Sequence, residues 1–378
     1  MAARFILEGG REVEQQAYFV QLLKKYKSVA GNHVSMEEIG DGNINYVYRV
    51  QEDGQSIIVK QAGEQVRSSG RGLTTNRLKV EYESLLFFKQ HSPSLLPDLY
   101  EYDADQSIMV MEDLAGYITL RDALKAGQTE ASHIDQLADF FVQGLLSSTS
   151  VLMDYQAKRR LEAKFSNADM CDISERLVFT YPFIEHATNR YSEQLAADVK
   201  AMQTDSAFMY EVTRLKQMFI NNRESLIHGD LHSGSIFVKD TELKVLDSEF
   251  ACFGPMSYDI GNVIAHLLLS RIAHDDSFEL WINEQIVRMM HQFKQKASSY
   301  LQESNQEAWY NEAYMDAYLN QVVSDSYKYA GLEIVRRTVG VAKTAELDQI
   351  AENERANVEK QYLALGISLV INGQLNKS

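Results

Sequence analysis

A chain of 378 residues, 45% hydrophobic and 24% charged, has the composition of a soluble globular protein and the length for two lobes. A net charge of −16 excludes nucleic acid as a partner, because a phosphate backbone demands a basic footprint. No run of basic residues suits an anionic membrane surface either.

The opening stretch, 1–10, lacks a charged segment followed by a long apolar one, so no signal peptide is expected. The spacing of Ala17, Phe19, Val20, Leu22 and Leu23 predicts a helix over 11–29. The period then changes. The runs 46–50 and 56–60 read as strands, and the Asp53-Gly54 pair between them is a strong hairpin signal. A helix is expected over 77–90, then strands over 98–103 and 107–112.

From 133 to 220 several helices are expected, with one β-rich interruption around 178–183. A short strand pair follows at 235–238 and 243–246. Helices then fill 257–273, 278–300, 307–345 and 352–372, and only four prolines stand in the way of this helical content. The expected fold class is α+β and bilobal. A small N-terminal lobe of helix and antiparallel sheet spans 1–112, and a large, mainly helical C-terminal lobe spans 113–378. A cleft between lobes is a favoured place for a small ligand. Cys171 and Cys252 cannot build a disulfide framework and fit a reducing compartment, so a cytoplasmic protein is expected. The longest apolar run, 263–269, is broken by His266 and is too short to span a bilayer.

The chemistry concentrates in His228-Gly229-Asp230-Leu231-His232 and, shortly after, Asp247-Ser248-Glu249. Carboxylates beside short apolar runs suit a site that handles Mg2+ and a phosphate-bearing substrate. Asp230 is the candidate base for a hydroxyl nucleophile. His228 and His232 have the spacing of a zinc pair on a helix, but Gly229 and the loop context favour structural hydrogen bonding. On an extended chain Asp247 and Glu249 point to one side and can converge on one hard cation. Two solvated acids at a strand end would be the plain alternative; the nearness of Asp230 disfavours it.

Upstream, Gly40-Asp41-Gly42-Asn43 permits tight turns that lay N–H groups on phosphates, though an ordinary loop fits equally well. Lys60 closes an apolar run and could reach phosphates as a point charge, a solvated strand end being the alternative. Glu81 could orient it. Glu83 is a rival on a different helix face, and Leu85 and Phe88, at helical spacing from Glu81, turn the Glu81 face inward. Arg336 and Arg337 are adjacent on an expected helix and diverge by about 100°. They can meet one ligand only at an edge or a helix end, and their apolar neighbours imply that at least one is buried with a partner. His274-Asp275-Asp276 reads as a helix-capping turn rather than a metal site.

Taken together, these marks resemble the protein-kinase-like fold of the small-molecule kinases, the aminoglycoside and choline kinase group. Within that group they are most similar to the methylthioribose kinase family. The stretches concerned are IGDGNINYVYRV at 39–50, VKQA at 59–62, MVMEDL at 109–114, HGDLHSGSIFV at 228–238, LDSEFACFGPMSYDIGN at 246–262 and IVRRTVGVA at 334–342. Two features separate that family from its relatives. One is the Asp-x-Glu form at 247–249, and the other is Ser235 where relatives place an asparagine. Ser248 is a departure, since proline is common there in the family; serine could loosen the turn while leaving both carboxylates in place.

The resemblance implies transfer of the ATP γ-phosphoryl group to the C1 hydroxyl of 5-methylthioribose, in methionine salvage, with Mg2+ as cofactor. It implies Asp230 as the residue that orients and deprotonates the hydroxyl, and Asp247 and Glu249 as Mg2+ ligands. Lys60, set by Glu81, would bind phosphates, and backbone around Met111, Glu112 and Asp113 would take the adenine. Arg336 and Arg337 would face the sugar. A homodimer is implied too. Two other readings stay open. One is a kinase for another small hydroxylated substrate (a sugar, choline or an aminoglycoside), although an arginine pair disfavours cationic ones. The other is a catalytically silent nucleotide-binding protein, against which the retention of Asp230, Asp247, Glu249 and Lys60 weighs.

Overall fold

The computed structural model describes residues 12–39, 44–67, 70–304, 311–343 and 350–375. Gly40, Asp41, Gly42 and Asn43 therefore lie outside the described residues, as do both ends of the helix expected over 307–345. Helix α1 (Glu12–Tyr26) leads into strands β1 (Ser35–Glu38), β2 (Asn45–Glu52) and β3 (Gln55–Ala62). Helix α2 (Asn76–His91) follows, then β4 (Leu99–Asp103) and β5 (Ile108–Glu112). The strands form one antiparallel sheet in the order β1-β2-β3-β5-β4. Asp53 and Gly54 turn the β2–β3 hairpin with φ of 51° and 77°, the left-handed pair that a two-residue hairpin requires.

Strand alternation sorts the sheet's side chains onto two faces. Ile57, Val59, Ile108 and Val110 pack with Phe19, Leu22 and Leu23 of α1. Burying three such side chains contributes about 1.5–3 kcal/mol each, enough to dock α1. Ala17 of the expected stripe stays exposed. Ile58, Met109 and Met111 point the other way, into the cluster that includes Leu78, Leu85 and Phe88 of α2. Lys60 shares their face, because it lies two residues beyond Ile58 and opposite Met109. That cluster continues into the helical part, with Phe88 edge-on to Phe140 at 5.3 Å between ring centroids.

After Glu112 the chain is mainly helical. Strand β6 (Ile118–Thr119) precedes α3 (Leu120–Lys125), α4 (Ala131–Phe140), α5 (Tyr155–Lys164), α6 (Ala168–Leu177), α7 (Ala196–Thr204) and α8 (Ser206–Asn221). Strands β7 (Ser225–Ile227), β8 (Ile236–Lys239), β9 (Glu242–Val245) and β10 (Cys252–Gly254) come next. Helices α9 (Met256–Leu269), α10 (Asp276–Ser304), α11 (Glu312–Val339) and α12 (Glu352–Asn372) complete the fold. Strands β6, β8 and β9 form one small sheet, and β7 pairs with β10. Helix α9 is buried along its whole length and packs on α11, which packs on α12. Asp275 accepts the amides of Ser277 and Phe278 at the start of α10, which makes it a capping residue.

The β-rich interruption expected around 178–183 is not a strand. The chain there leaves α6 and makes a short 3-10 turn over Tyr181–Phe183. Pro182 has no amide to donate to a ladder, and Val178, Phe179 and Phe183 are buried core residues beside Val199, Met202 and Phe208. A short apolar run does not distinguish a strand from buried irregular chain. Among the described residues no helix is long and apolar enough to cross a membrane.

Candidate active site

Leu78, Glu81, Leu85 and Phe88 lie three and four residues apart on α2 and form one buried stripe. Glu81 is an acid within that apolar stripe, 1% exposed, and its carboxylate takes Lys60 Nζ at 2.8 Å. Glu83 lies on another face and pairs with Lys164 at 3.5 Å. Lys60 Nζ also reaches Asp247 Oδ1 at 2.5 Å. Burial pulls the Lys60 pKa down, but Asp247, Glu81 and Glu249 outweigh burial, and it ends raised. Burial pushes Glu81 up to about 8 against the pull of Lys60.

The two acids of the 247–249 motif do not converge by extended-chain alternation. Strand β9 stops at Val245, Asp247 takes φ 64°, and Glu249 begins a turn. They share a neighbourhood all the same, since both act on Lys60 and Glu81. The Asp247 side chain is 48% exposed. Glu249 is buried, and its Oε2 accepts Asn45 Nδ2 at 2.9 Å and pairs with Arg77 Nε at 3.3 Å. Asp247 Oδ2 and Glu249 Oε1 stand outside these contacts, and such hard oxygens suit Mg2+. No group of three metal-ligating side chains occurs among the described residues, so phosphate and water would complete the shell, as is usual for Mg2+. Ser248 is fully buried, with its hydroxyl 2.7 Å from Ser84 Oγ, which ties this turn to the helix that carries Glu81.

Arg77, which sequence reasoning missed, anchors the same corner. It is fully buried and donates to the carbonyls of Gly63, Thr74 and Ile44 and to Asn45 Oδ1, besides pairing with Glu249. Arg77→Ala is expected to lower stability by about 3–5 kcal/mol, because it strands a buried carboxylate and several carbonyls. Denaturant unfolding checks this, and an unchanged midpoint would contradict it.

Strand β7 delivers His228, Gly229 and Asp230, and its partner β10 leaves the acid turn, with Cys252 opposite Ile227. The two loops touch at Gly229, whose φ is 83°; a Cβ there would fall 2.3 Å from Phe250 O. His228 laces them together. Its Nδ1 accepts the Asp230 amide at 3.3 Å, so Nε2 carries the proton and donates to Leu246 O at 2.6 Å. Burial pushes His228 down to about 4, and it is a neutral structural residue. His232 Nδ1 accepts the amides of Gly234 and Ser235, and its Nε2 faces Asp230 Oδ2 at 3.5 Å. Ser235 Oγ donates to Asp230 O at 3.0 Å, so its hydroxyl is spent on the loop's own backbone.

The Asp230 side chain is 35% exposed. Burial pushes its pKa up, but His232, Arg337 and Arg336 outweigh burial and hold it below the ordinary carboxylate value. An accessible anion under the electrostatic influence of two arginines can orient a hydroxyl and accept its proton. Arg336 and Arg337 occupy the last turn of α11 and are both buried. Neither stands alone. Glu333, one turn earlier, accepts from both.

Three further supporting residues, besides Arg77, were not foreseen. Asp259, in the first turn of α9, accepts the amides of His228 at 2.6 Å and Gly229 at 3.0 Å. Burial pushes it up to about 7 despite those bonds. Asn167 donates to the carbonyls of Glu249 and Ala251, both at 2.9 Å. Glu333 is the third, and its spacing of three and four before the arginines was a signal in the sequence. At the end of β5, Glu112 accepts the Asp98 amide and Asp113 is held bidentately by Arg49.

The phosphotransferase enzyme family matches residues 35–281. The chain is 35% identical over 347 residues to a methylthioribose kinase of Geobacillus sp. (strain WCH70), covering 90% of this chain and 87% of that one. It is 32% identical over 346 residues to one of Bacillus pumilus, with the same shares covered. Among solved structures, a choline kinase from Cryptosporidium parvum superposes with a TM-score of 0.52 at 12% identity, over 95% of this chain and 96% of that one. An ethanolamine kinase of Plasmodium vivax gives 0.50 at 13% identity, over 96% and 95%. These likenesses bear on the fold, which is protein-kinase-like, with an antiparallel sheet followed by a mainly helical remainder.

Proposed function

The chain belongs to the methylthioribose kinases within the phosphotransferase enzyme family, and from that premise we propose that it transfers the ATP γ-phosphoryl group to the C1 hydroxyl of 5-methylthioribose. The product would be 5-methylthioribose 1-phosphate, an intermediate of methionine salvage. Asp230 orients the hydroxyl and takes its proton as the oxygen bonds to phosphorus. The bond from phosphorus to the β,γ-bridging oxygen breaks, and ADP leaves. The observation that carries this reading is Asp230 itself: accessible, held as an anion, and under the influence of Arg336 and Arg337.

The other roles follow from the surroundings. Asp247 and Glu249 would hold Mg2+, which would neutralise charge on the phosphate oxygens. Lys60, steadied by Glu81, is available to a phosphate, and its present contact with Asp247 is one that Mg-ATP would share. Gly40, Asp41, Gly42 and Asn43 cover the phosphates in this reading. The backbone at Met111, Glu112 and Asp113 takes the adenine, at the division between an N-terminal lobe (1–112) and a C-terminal lobe (113–378). Arg336 and Arg337 face the sugar and the transferred group. A cytoplasmic homodimer completes the proposal.

With Mg-ATP, purified protein is expected to release ADP when 5-methylthioribose is added and not with choline or kanamycin, in a coupled assay. No turnover with any acceptor would remove the enzyme reading. Turnover with choline alone would remove the substrate assignment. A silent nucleotide-binding protein has no need of the Lys60–Glu81 pair and the acid turn packed together, which favours the active reading.

A further inference from the structure

Adjacent helical residues diverge by about 100°, so twin arginines do not by themselves serve one ligand. Glu333 removes that difficulty. It lies three residues before Arg336 and four before Arg337, so its carboxylate sits on the helix face between them. Oε2 accepts Arg336 Nε at 2.6 Å, and Oε1 accepts both Arg336 Nη2 at 2.7 Å and Arg337 Nε at 2.6 Å. One acid thus draws two diverging guanidiniums together, and Arg336 Nη1 and Arg337 Nη2 stay outside these bonds.

This acid and both arginines are buried. Glu333 is 2% exposed, and His266 Nε2 lies 3.6 Å from the same Oε1 that both arginines reach. His266 Nδ1 meets Ser233 Oγ at 3.0 Å, so the chain of contacts runs back to the loop that carries Asp230. Two guanidiniums against one carboxylate leave one positive charge to act on Asp230 and on an incoming phosphoryl group.

We propose that Glu333 is a positioning residue for phosphoryl transfer: it holds Arg336 and Arg337 together as one cation, tied through His266 and Ser233 to the loop that carries Asp230. The proposal rests on the kinase reading above and deepens it. Glu333 touches neither substrate nor ATP in this account, and it acts only through the arginines. Its removal should therefore cost kcat far more than ATP binding, and the cost should vanish where the arginines are already absent.

The test is a double-mutant cycle in the Mg-ATP and 5-methylthioribose assay, with folded protein quantified by near-UV circular dichroism. Glu333→Asp keeps the charge and withdraws the carboxylate by one methylene, so it is the variant expected to fold. Its kcat should fall by about 10- to 100-fold, the usual cost of losing a supporting partner, with the KM for ATP within about twofold of wild type. On an Arg336→Ala/Arg337→Ala background the same change should cost less than about threefold, because contacting residues are not additive. Wild-type kcat in Glu333→Asp, a loss that merely tracks unfolded protein, or full additivity would overturn the positioning role alone. A wild-type protein without methylthioribose turnover would overturn the kinase reading and this role with it.

Discussion

Replacing Asp230 with alanine is expected to lower kcat by about 100- to 10,000-fold, the range for removing a positioned general base, while Mg-ATP affinity stays within a few-fold of wild type. His232 faces Asp230 at 3.5 Å, but burial lowers its pKa and its Nδ1 already accepts two amides. Asp259 is fully buried and spent on the amides of His228 and Gly229. Asp247 is paired to Lys60. No other acid among them can take the proton, so the loss should persist at every pH at which the protein stays folded. Asp230→Asn should lose nearly as much, because it keeps the shape and loses the acceptor. Steady-state kinetics with titration of a fluorescent ATP analogue would check both parts. Near-wild-type turnover in either variant would remove Asp230 from the chemistry.

Asp247→Asn carries the second large effect. The change keeps volume and removes the charge of the more exposed of the two proposed Mg2+ ligands. It also releases Lys60 to Glu81 alone. Losing several kcal/mol of transition-state stabilisation corresponds to about 1,000-fold in kcat/KM for ATP. The Mg2+ concentration for half-maximal rate should rise as well. Glu249→Gln should behave differently. Its carboxylate is also an anchor for Asn45 and Arg77, so that variant is expected to lose stability together with rate. Magnesium titration of the three proteins, alongside denaturant unfolding, separates the two cases. An unchanged Mg2+ dependence in Asp247→Asn would contradict the assignment.

Much of this architecture was legible because its signals are local. The Asp53-Gly54 pair marks the hairpin, alternation in β3 puts Lys60 on the α2 face, and Leu85 and Phe88 show which acid on α2 looks inward. Illegible features were those set by tertiary contact. Strands β6, β7 and β10 are two or three residues long and carry no periodicity, yet β7 and β10 deliver and retrieve the two chemical loops. The left-handed turn at Asp247 defeats the alternation argument for Glu249, because it depends on Gly229 meeting Phe250 and on Ser248 meeting Ser84. Arg77 looked like an ordinary helix arginine, and only the folded chain reveals five acceptors converging on it. Apolar residues at 178–183 suggested a strand because burial alone does not specify backbone shape.

The central claim is the destination of the phosphoryl group. It is tested most directly by phosphorus NMR of the product formed from Mg-ATP and 5-methylthioribose. One sugar phosphate is expected, its phosphorus coupled to the anomeric proton, in step with ADP. Inorganic phosphate accompanying ADP, or an ester on any other hydroxyl, would contradict it.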